Sequence, residues 1–395
     1  MSYFAKGIPL TLYIHLPWCV EKCPYCDFNS HQVSAEFDED LYIEGLFADV
    51  EQDLPKIWGR TVESIFIGGG TPSLFSGQAI DKLLSGIRSR LNLRADPEIT
   101  LEANPGTADA ENFKAYRQAG VNRLSIGVQS FNNEHLVKLG RIHNSEQALV
   151  AYDQAREAGF ERINLDLMFA LPEQSVADAM ADLDKAIALK PEHISWYQLT
   201  IEPNTVFYRH PPEQLADGEL IWEIQQAGMN KLQQAGFKQY EISAWSQTGE
   251  ECQHNLNYWQ FGDYLGIGAG AHGKITNFNT AEIHRTRRKK QPHHWLASKV
   301  DTLSESTVIT KDDLALEFMM NAMRLNNGVP NNLFTERTGL LLSHITKPLK
   351  KARTQLLVDE RTDILRPTQR GLDYLNNLLA IFMPDKESIT IKEIH

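Results

Sequence analysis

The chain predicts an α/β fold, a parallel sheet with crossover helices that fits a partial (β/α)6 TIM-like barrel as well as an open sheet, with a smaller, mainly helical C-terminal domain behind it. Three observations predict it. Short β-rich runs alternate with amphipathic segments through the first half of the chain. The amphipathic segments stop at helix-ending residues, as "ENFKAYRQAG" does at Gly120 and "SEQALVAYDQAREAG" at Gly159. Polar residues gather where the β-rich runs end, and in a βα-barrel those ends share the face that carries the site.

Taken in order, the strands are "TLYIHL" (11–16), "VESIFIGGG" (62–70), "EITLEANP" (98–105), "VNRLSIGVQS" (121–130), "ERINLDLMF" (161–169) and "EHISWYQLT" (192–200). Each is a short run rich in β-branched and aromatic residues, and the helical segments between them imply crossovers and hence parallel pairing. "SVADAMADLDKAIALKP" (175–191) is helical by period and stops at Pro191. A further helical pattern covers 215–236, and a short strand is expected at "KQYEISAW" (238–245). An aromatic and glycine-rich stretch, "ECQHNLNYWQFGDYLGIGAGAHG" (251–273), closes a first domain of residues 1–280. The basic run in 281–300 reads as a connector, and residues 301–395 as the C-terminal domain, helical at 312–325 and 368–383.

The chain has 395 residues, 42% hydrophobic and 23% charged, which is the composition of a globular protein with room for two or three domains. Its net charge is 39 − 51 = −12, which disfavours nucleic acid and anionic lipid as non-specific partners. No apolar run is long enough to span a bilayer, and the start lacks a signal peptide's apolar core, so a cytoplasmic location is expected. Three of its four cysteines fall in "HLPWCVEKCPYCDFNSH", as Cys19, Cys23 and Cys26. Where thiols stay reduced, such a cluster argues for metal binding or redox chemistry rather than disulfides.

Three thiolates leave one iron of a four-iron cube without a protein ligand, and an open metal position is what chemistry requires. A tetrahedral zinc site completed by His15 or His31 is the rival. Glu102, Gln129 and Asp166 fall at strand ends, and Gly69, Gly70 and Thr71 follow the second strand.

The Cys-x-x-x-Cys-x-x-Cys loop after an N-terminal strand resembles that of the radical SAM enzymes, which implies a [4Fe–4S] cluster whose open iron is chelated by S-adenosylmethionine. In that family an electron from the cluster cleaves the cofactor to a deoxyadenosyl radical. "GGGTPS" (68–73) resembles the family's glycine motif beside the methionyl group. Glu102, Gln129, Arg141 and Asp166 match cofactor contacts of the coproporphyrinogen-oxidase-like branch, and Tyr13 and Tyr25 match its cluster-side contacts. The fold implied is the radical SAM partial barrel.

Within that branch the oxygen-independent coproporphyrinogen III oxidase carries a further cysteine where this chain has Phe28, and a longer N-terminal extension. Both departures point to the heme-chaperone family of the HemW type. "HNLNYW" (254–259) resembles that family's His-Asn-x-x-Tyr-Trp motif and makes His254, Tyr258 and Trp259 candidate heme contacts. The alternative is that His254 packs in an aromatic turn. The resemblance implies heme as cargo, apo-hemoproteins (respiratory ones at the membrane among them) as recipients, a flavodoxin or ferredoxin as donor if the cluster is reduced, and a homodimer. Radical SAM decarboxylation of coproporphyrinogen is the competing function, and whether the chain is an enzyme stays open.

Four features are read as structural. Gly268-x-Gly270-x-x-Gly273 lacks the following helix that a dinucleotide fingerprint needs. Cys252 is expected as a buried thiol. The Met pair of "EFMMNAM" is expected in a core, and the run from Arg285 to Lys290 with His284, His293 and His294 as a solvated connector, with heme propionates or an anionic membrane face as its alternative partners.

Overall fold

The computed structural model describes residues 4, 7–33, 37–107, 109–298 and 301–384; residues 385–395 of the expected C-terminal domain lie outside them. All six expected strands are present, as β1 (Leu10–Leu16), β2 (Thr61–Gly69), β3 (Asn92–Ala103), β4 (Arg123–Gln129), β5 (Arg162–Phe169) and β6 (His193–Gln198). Each pairs in parallel with the next. Their crossovers carry α1 (Glu39–Ile57), α2 (Gly77–Arg90), α3 (Ala110–Ala119), α4 (Ser145–Glu157) and α5 (Val176–Ala188). The helix starts are capped as their sequences demand. Asn144 and Gln147 form a capping box on α4, and Ser175 and Asp178 one on α5. At the other end of α3, Gly120 sits at φ 107°, a left-handed cap that a side chain would strain.

The sheet does not stop at six. "KQYEISAW" makes two strands, β7 (Lys238–Glu241) and β8 (Ala244–Ser246), because a turn interrupts it, and β8 pairs antiparallel with β6. The aromatic and glycine-rich stretch supplies α6 (Gln253–Trp259), then β9 (Asp263–Ile267) and β10 (His272–Asn277). Strand β9 runs parallel to β1 on its free side. Strands β11 (Glu282–Arg288) and β12 (Leu303–Val308) continue antiparallel from β10. Among the described residues this gives one twelve-stranded sheet in the order β12-β11-β10-β9-β1-β2-β3-β4-β5-β6-β8-β7.

The basic run is therefore not a solvated connector throughout. Its first part, 285–288, lies in β11, where Arg288 is 1% exposed, while Lys290, His293 and His294 beyond the strand are exposed. The Arg288 guanidinium is 2.6 Å from Asp53 Oδ2 and 3.4 Å from Asp49 Oδ1, both on α1. A buried charge survives where it is paired. Trp295 follows on the short helix Pro292–Ala297 and donates its indole N–H to Asp49 at 3.0 Å.

The main core fills the space between β1–β6 and their crossover helices. A second apolar cluster gathers Phe318, Met319, Phe334, Ile345 and Leu378 of the C-terminal helices around Phe261 and Ile283. The Met pair divides, since Met319 is buried in that cluster while Met320 is 49% exposed. Gly268 and Gly270 take positive φ in the turn between β9 and β10, and a strand rather than a helix follows. Among the described residues no helix is long and apolar enough to cross a membrane.

Candidate functional site

The cysteine loop leaves the C-terminal end of β1 and is clasped at its base. Trp18–Cys19 pairs in parallel with His31–Gln32, and Val33 N–H donates to Cys19 O at 2.8 Å. Cys19 is buried, Cys23 and Cys26 are half-buried, and all three thiols are free. Among the described residues no three potential ligands converge as they would on a single ion. A four-iron cube takes each thiolate at a different iron, so it asks for sulfurs held apart. Burial raises the Cys19 and Cys26 pKa values, with Ser30 opposing it at both and Thr71 at Cys19. Of the nitrogens a zinc site would use, His15 Nε2 lies 2.8 Å from Asn29 O and His31 Nε2 lies 3.3 Å from Lys290 O.

The glycine motif seats this loop. A Cβ on Gly70 would fall 2.5 Å from Trp18 O, and one on Gly69 2.7 Å from the His15 ring. With those carbons absent, Gly70 N–H reaches Leu16 O at 2.8 Å and Thr71 N–H reaches Trp18 O at 2.7 Å. Bare backbone is thus needed for the loop itself as well as for any ligand beside it.

The polar strand ends fall into two groups. Gln129, Arg141 and Tyr25 gather with Tyr197 around Cys23. Arg141 Nη1 donates to Cys23 Sγ at 3.4 Å, its Nη2 donates to Gly127 O at 2.9 Å, and the Tyr197 hydroxyl donates to Gln129 Oε1 at 2.8 Å. Gln129 reaches this position through a register shift in β4 that leaves it at φ 66°. Burial works against the Arg141 charge, yet Tyr25 and Cys23 beside it raise its pKa further. Its buried Nε has no hydrogen-bond partner among the described residues. A guanidinium with a donor to spare beside the thiols suits a carboxylate.

Glu102 and Asp166 form the second group, together with Tyr13. Glu102 Oε2 accepts from Gly69 N–H at 3.1 Å. Burial first and the Asp166 charge second push the Glu102 pKa up to about 7, against the pull of that amide. Asp166 is raised by burial too, while Ser125 and Asn164 donate to its two oxygens at 2.7 and 3.0 Å. The Tyr13 hydroxyl lies 2.9 Å from His15 Nδ1. Tyr13, Gly69 and Glu102 border a cavity of about 710 Å³ that Tyr258 and Trp259 also line. Asp166 lines a smaller one of about 220 Å³, with Glu102 on both.

Unlike its two motif partners, His254 does not line the large cavity. It is fully buried, with Nδ1 3.0 Å from Ser64 Oγ and Nε2 2.8 Å from the Tyr258 hydroxyl. Burial lowers its pKa to about 3. An iron bond at either nitrogen would have to break one of these contacts, so the geometry is that of a packed aromatic turn. Cys252 is buried as expected, its Sγ 3.5 Å from Glu98 Oε1.

Sequence reasoning missed most of the opposite wall of the large cavity, naming only Arg285 of it as a candidate contact, in the basic run whose alternative partner was heme propionates. The wall is built by Tyr264 on β9, His272 and Lys274 on β10, Arg285 on β11, and Met320 from the C-terminal helices. The loop is tied to this wall by Asn29, whose Nδ2 donates to Ala269 O and Lys290 O, each at 2.9 Å.

Comparison with known proteins matches this geometry to a family. The model of the radical SAM superfamily matches residues 13–186, and that of the HemN C-terminal domain residues 309–374. The heme chaperone HemW of Escherichia coli (strain K12) is 48% identical over 377 residues, covering 95% of this chain and 99% of its own. This chain belongs to the HemW family of radical SAM proteins. The heme chaperone HemW of Bacillus subtilis (strain 168) is 35% identical over 380 residues, covering 94% and 98% of the two chains. Among solved structures, the coproporphyrinogen III oxidase HemN of Escherichia coli superposes with a TM-score of 0.80 at 24% identity, covering 95% of this chain and 90% of that one. The radical SAM fold and the [4Fe–4S] and S-adenosylmethionine cofactors follow from membership.

The residues present fit both groups. Three free thiols share one clasped loop, a guanidinium with an unused donor stands beside Cys23, and an acidic side chain borders the cavity next to bare glycine backbone. Arg141 would meet the carboxylate of the methionyl group, and Glu102 its amino group. When bound, the pair supplies one-electron chemistry at an adenosyl sulfonium; the protein orients and shields it.

Proposed function

We propose that this chain carries heme and passes it to apo-hemoproteins, with Cys19, Cys23 and Cys26 on the cluster and Tyr13, Tyr25, Gly69, Gly70, Thr71, Glu102, Gln129, Arg141 and Asp166 around the cofactor. The observation that carries this is the full-length match to relatives named heme chaperones. Supporting it, the cavity of about 710 Å³ beside the cluster loop is walled by Phe28, Tyr258, Trp259, Phe261 and Tyr264. A pocket of this size lined by aromatic rings suits a flat macrocycle. At position 28 a phenyl ring, 61% exposed, stands where the oxidase resemblance would place a fourth thiol.

Recipients are expected to include respiratory proteins at the inner face of the membrane, reached from the cytoplasm. A flavodoxin or ferredoxin would reduce the cluster if the working cycle needs it, and a homodimer is the expected assembly. The competing function is oxidative decarboxylation of coproporphyrinogen III, favoured by the HemN-type C-terminal match. Anaerobic incubation of the reconstituted protein separates the two. Hemin uptake followed by transfer to an apo-hemoprotein, with coproporphyrinogen III left unchanged, supports the carrier. Formation of protoporphyrinogen IX would establish the oxidase instead.

A further inference from the structure

If the chain carries heme, the iron needs an axial ligand, and the motif histidine His254 does not offer one. An imidazole binds iron through a ring nitrogen with a free lone pair. His254 has both nitrogens within 3.0 Å of hydroxyl partners and does not reach the large cavity. His15 does line that cavity, but its nitrogens face the Tyr13 hydroxyl at 2.9 Å and Asn29 O at 2.8 Å. The other histidine on the cavity wall is His272. It is exposed, and among the described residues neither of its nitrogens has a hydrogen-bond partner.

We propose that His272, the first residue of β10, is the axial ligand of heme held in the large cavity, with the Phe28 ring against the macrocycle. This rests on the heme-carrier reading above and assigns its iron to a residue outside the His-Asn-x-x-Tyr-Trp motif. The backbone brings the two residues together. A Cβ on Gly270 would lie 2.1 Å from Asn29 Nδ2, so the loop residue after Phe28 is packed onto the turn that leads into His272. Along β10, His272 and Lys274 share one face, and both border the cavity. Trp259, Phe261 and Met320 line the same cavity, and the imidazole is an uncommitted nitrogen donor among aromatic and basic side chains.

The test is a ferric and ferrous heme titration of wild type, His272→Ala, His254→Ala and Met320→Ala, read by Soret position, electron paramagnetic resonance and affinity. Wild type is expected to show a histidine-ligated spectrum. His272→Ala should lose that signature and bind heme at least ~10-fold more weakly, a difference of about 1.4 kcal/mol. Millimolar imidazole should restore the spectrum. His254→Ala, provided it retains its cluster absorbance, should keep the wild-type spectrum. A wild-type spectrum in His272→Ala overturns the assignment while leaving heme carriage standing, as does a change confined to Met320→Ala or His254→Ala. Absence of heme uptake by wild type overturns the carrier reading, and this inference with it.

Discussion

Glu102 should give up its proton near neutrality, and that can be read in both stability and cofactor binding. Its pKa is raised from 4.5 to about 7, by burial first and by the Asp166 charge second. An unfolded chain ionises this group at the lower value. The folded protein therefore holds the extra proton between those two values, and its stability falls as pH rises through that window. At about 1.36 kcal/mol per unit, the ceiling is about 3 kcal/mol, trimmed because the carboxyl borders an open cavity. Glu102→Gln keeps an oxygen for the Gly69 amide and has no proton to lose. Thermal unfolding of the cluster-loaded proteins from pH 5 to pH 8.5 should show the variant gaining on wild type as pH rises. S-adenosylmethionine should reverse the order, because its ammonium gives the wild-type carboxylate a partner. Wild-type affinity should climb as pH passes through about 7 and stay flat in Glu102→Gln. Parallel melting curves together with pH-independent wild-type affinity would refute the reasoning.

Arg141→Ala removes the guanidinium between Cys23 and Gly127 and should weaken S-adenosylmethionine binding roughly 5- to 10-fold by calorimetry; unaltered affinity would take it out of the site. Gly70→Ala keeps every thiol yet drives a methyl to within 2.5 Å of Trp18 O, so iron per chain after reconstitution should drop sharply. A full iron count would show that the loop can shift. His254→Ala leaves the buried Ser64 hydroxyl without its partner, opens a cavity beside Tyr258, and should cost roughly 2–4 kcal/mol in denaturant unfolding. A loss below experimental error would mean that water replaces the ring.

The six parallel strands were legible because their apolar runs are bounded by local signals, glycine and proline above all. The cysteine loop was legible for a similar reason, with three sulfurs in eight residues. What escaped depends on distance along the chain. Arg288 reads as a solvated charge until Asp49 and Asp53, more than 200 residues earlier, are found beside it. His254 reads as an available ligand until Ser64 closes one nitrogen from another strand. The site split the same way. Gly69 and Glu102 could be placed at strand ends from pattern alone, Asp166 lies three residues inside β5 instead, and the wall at His272 needs β9 to pair with β1 across most of the domain.

Asn29 is one side-chain amide holding two carbonyls, on either side of the β10–β11 hairpin, from inside the loop that bears the sulfurs. The cysteine loop and the far wall of the large cavity are consequently tied together at one point. If heme sits in that cavity as proposed, any displacement of the cysteine loop is felt directly at the wall that faces it.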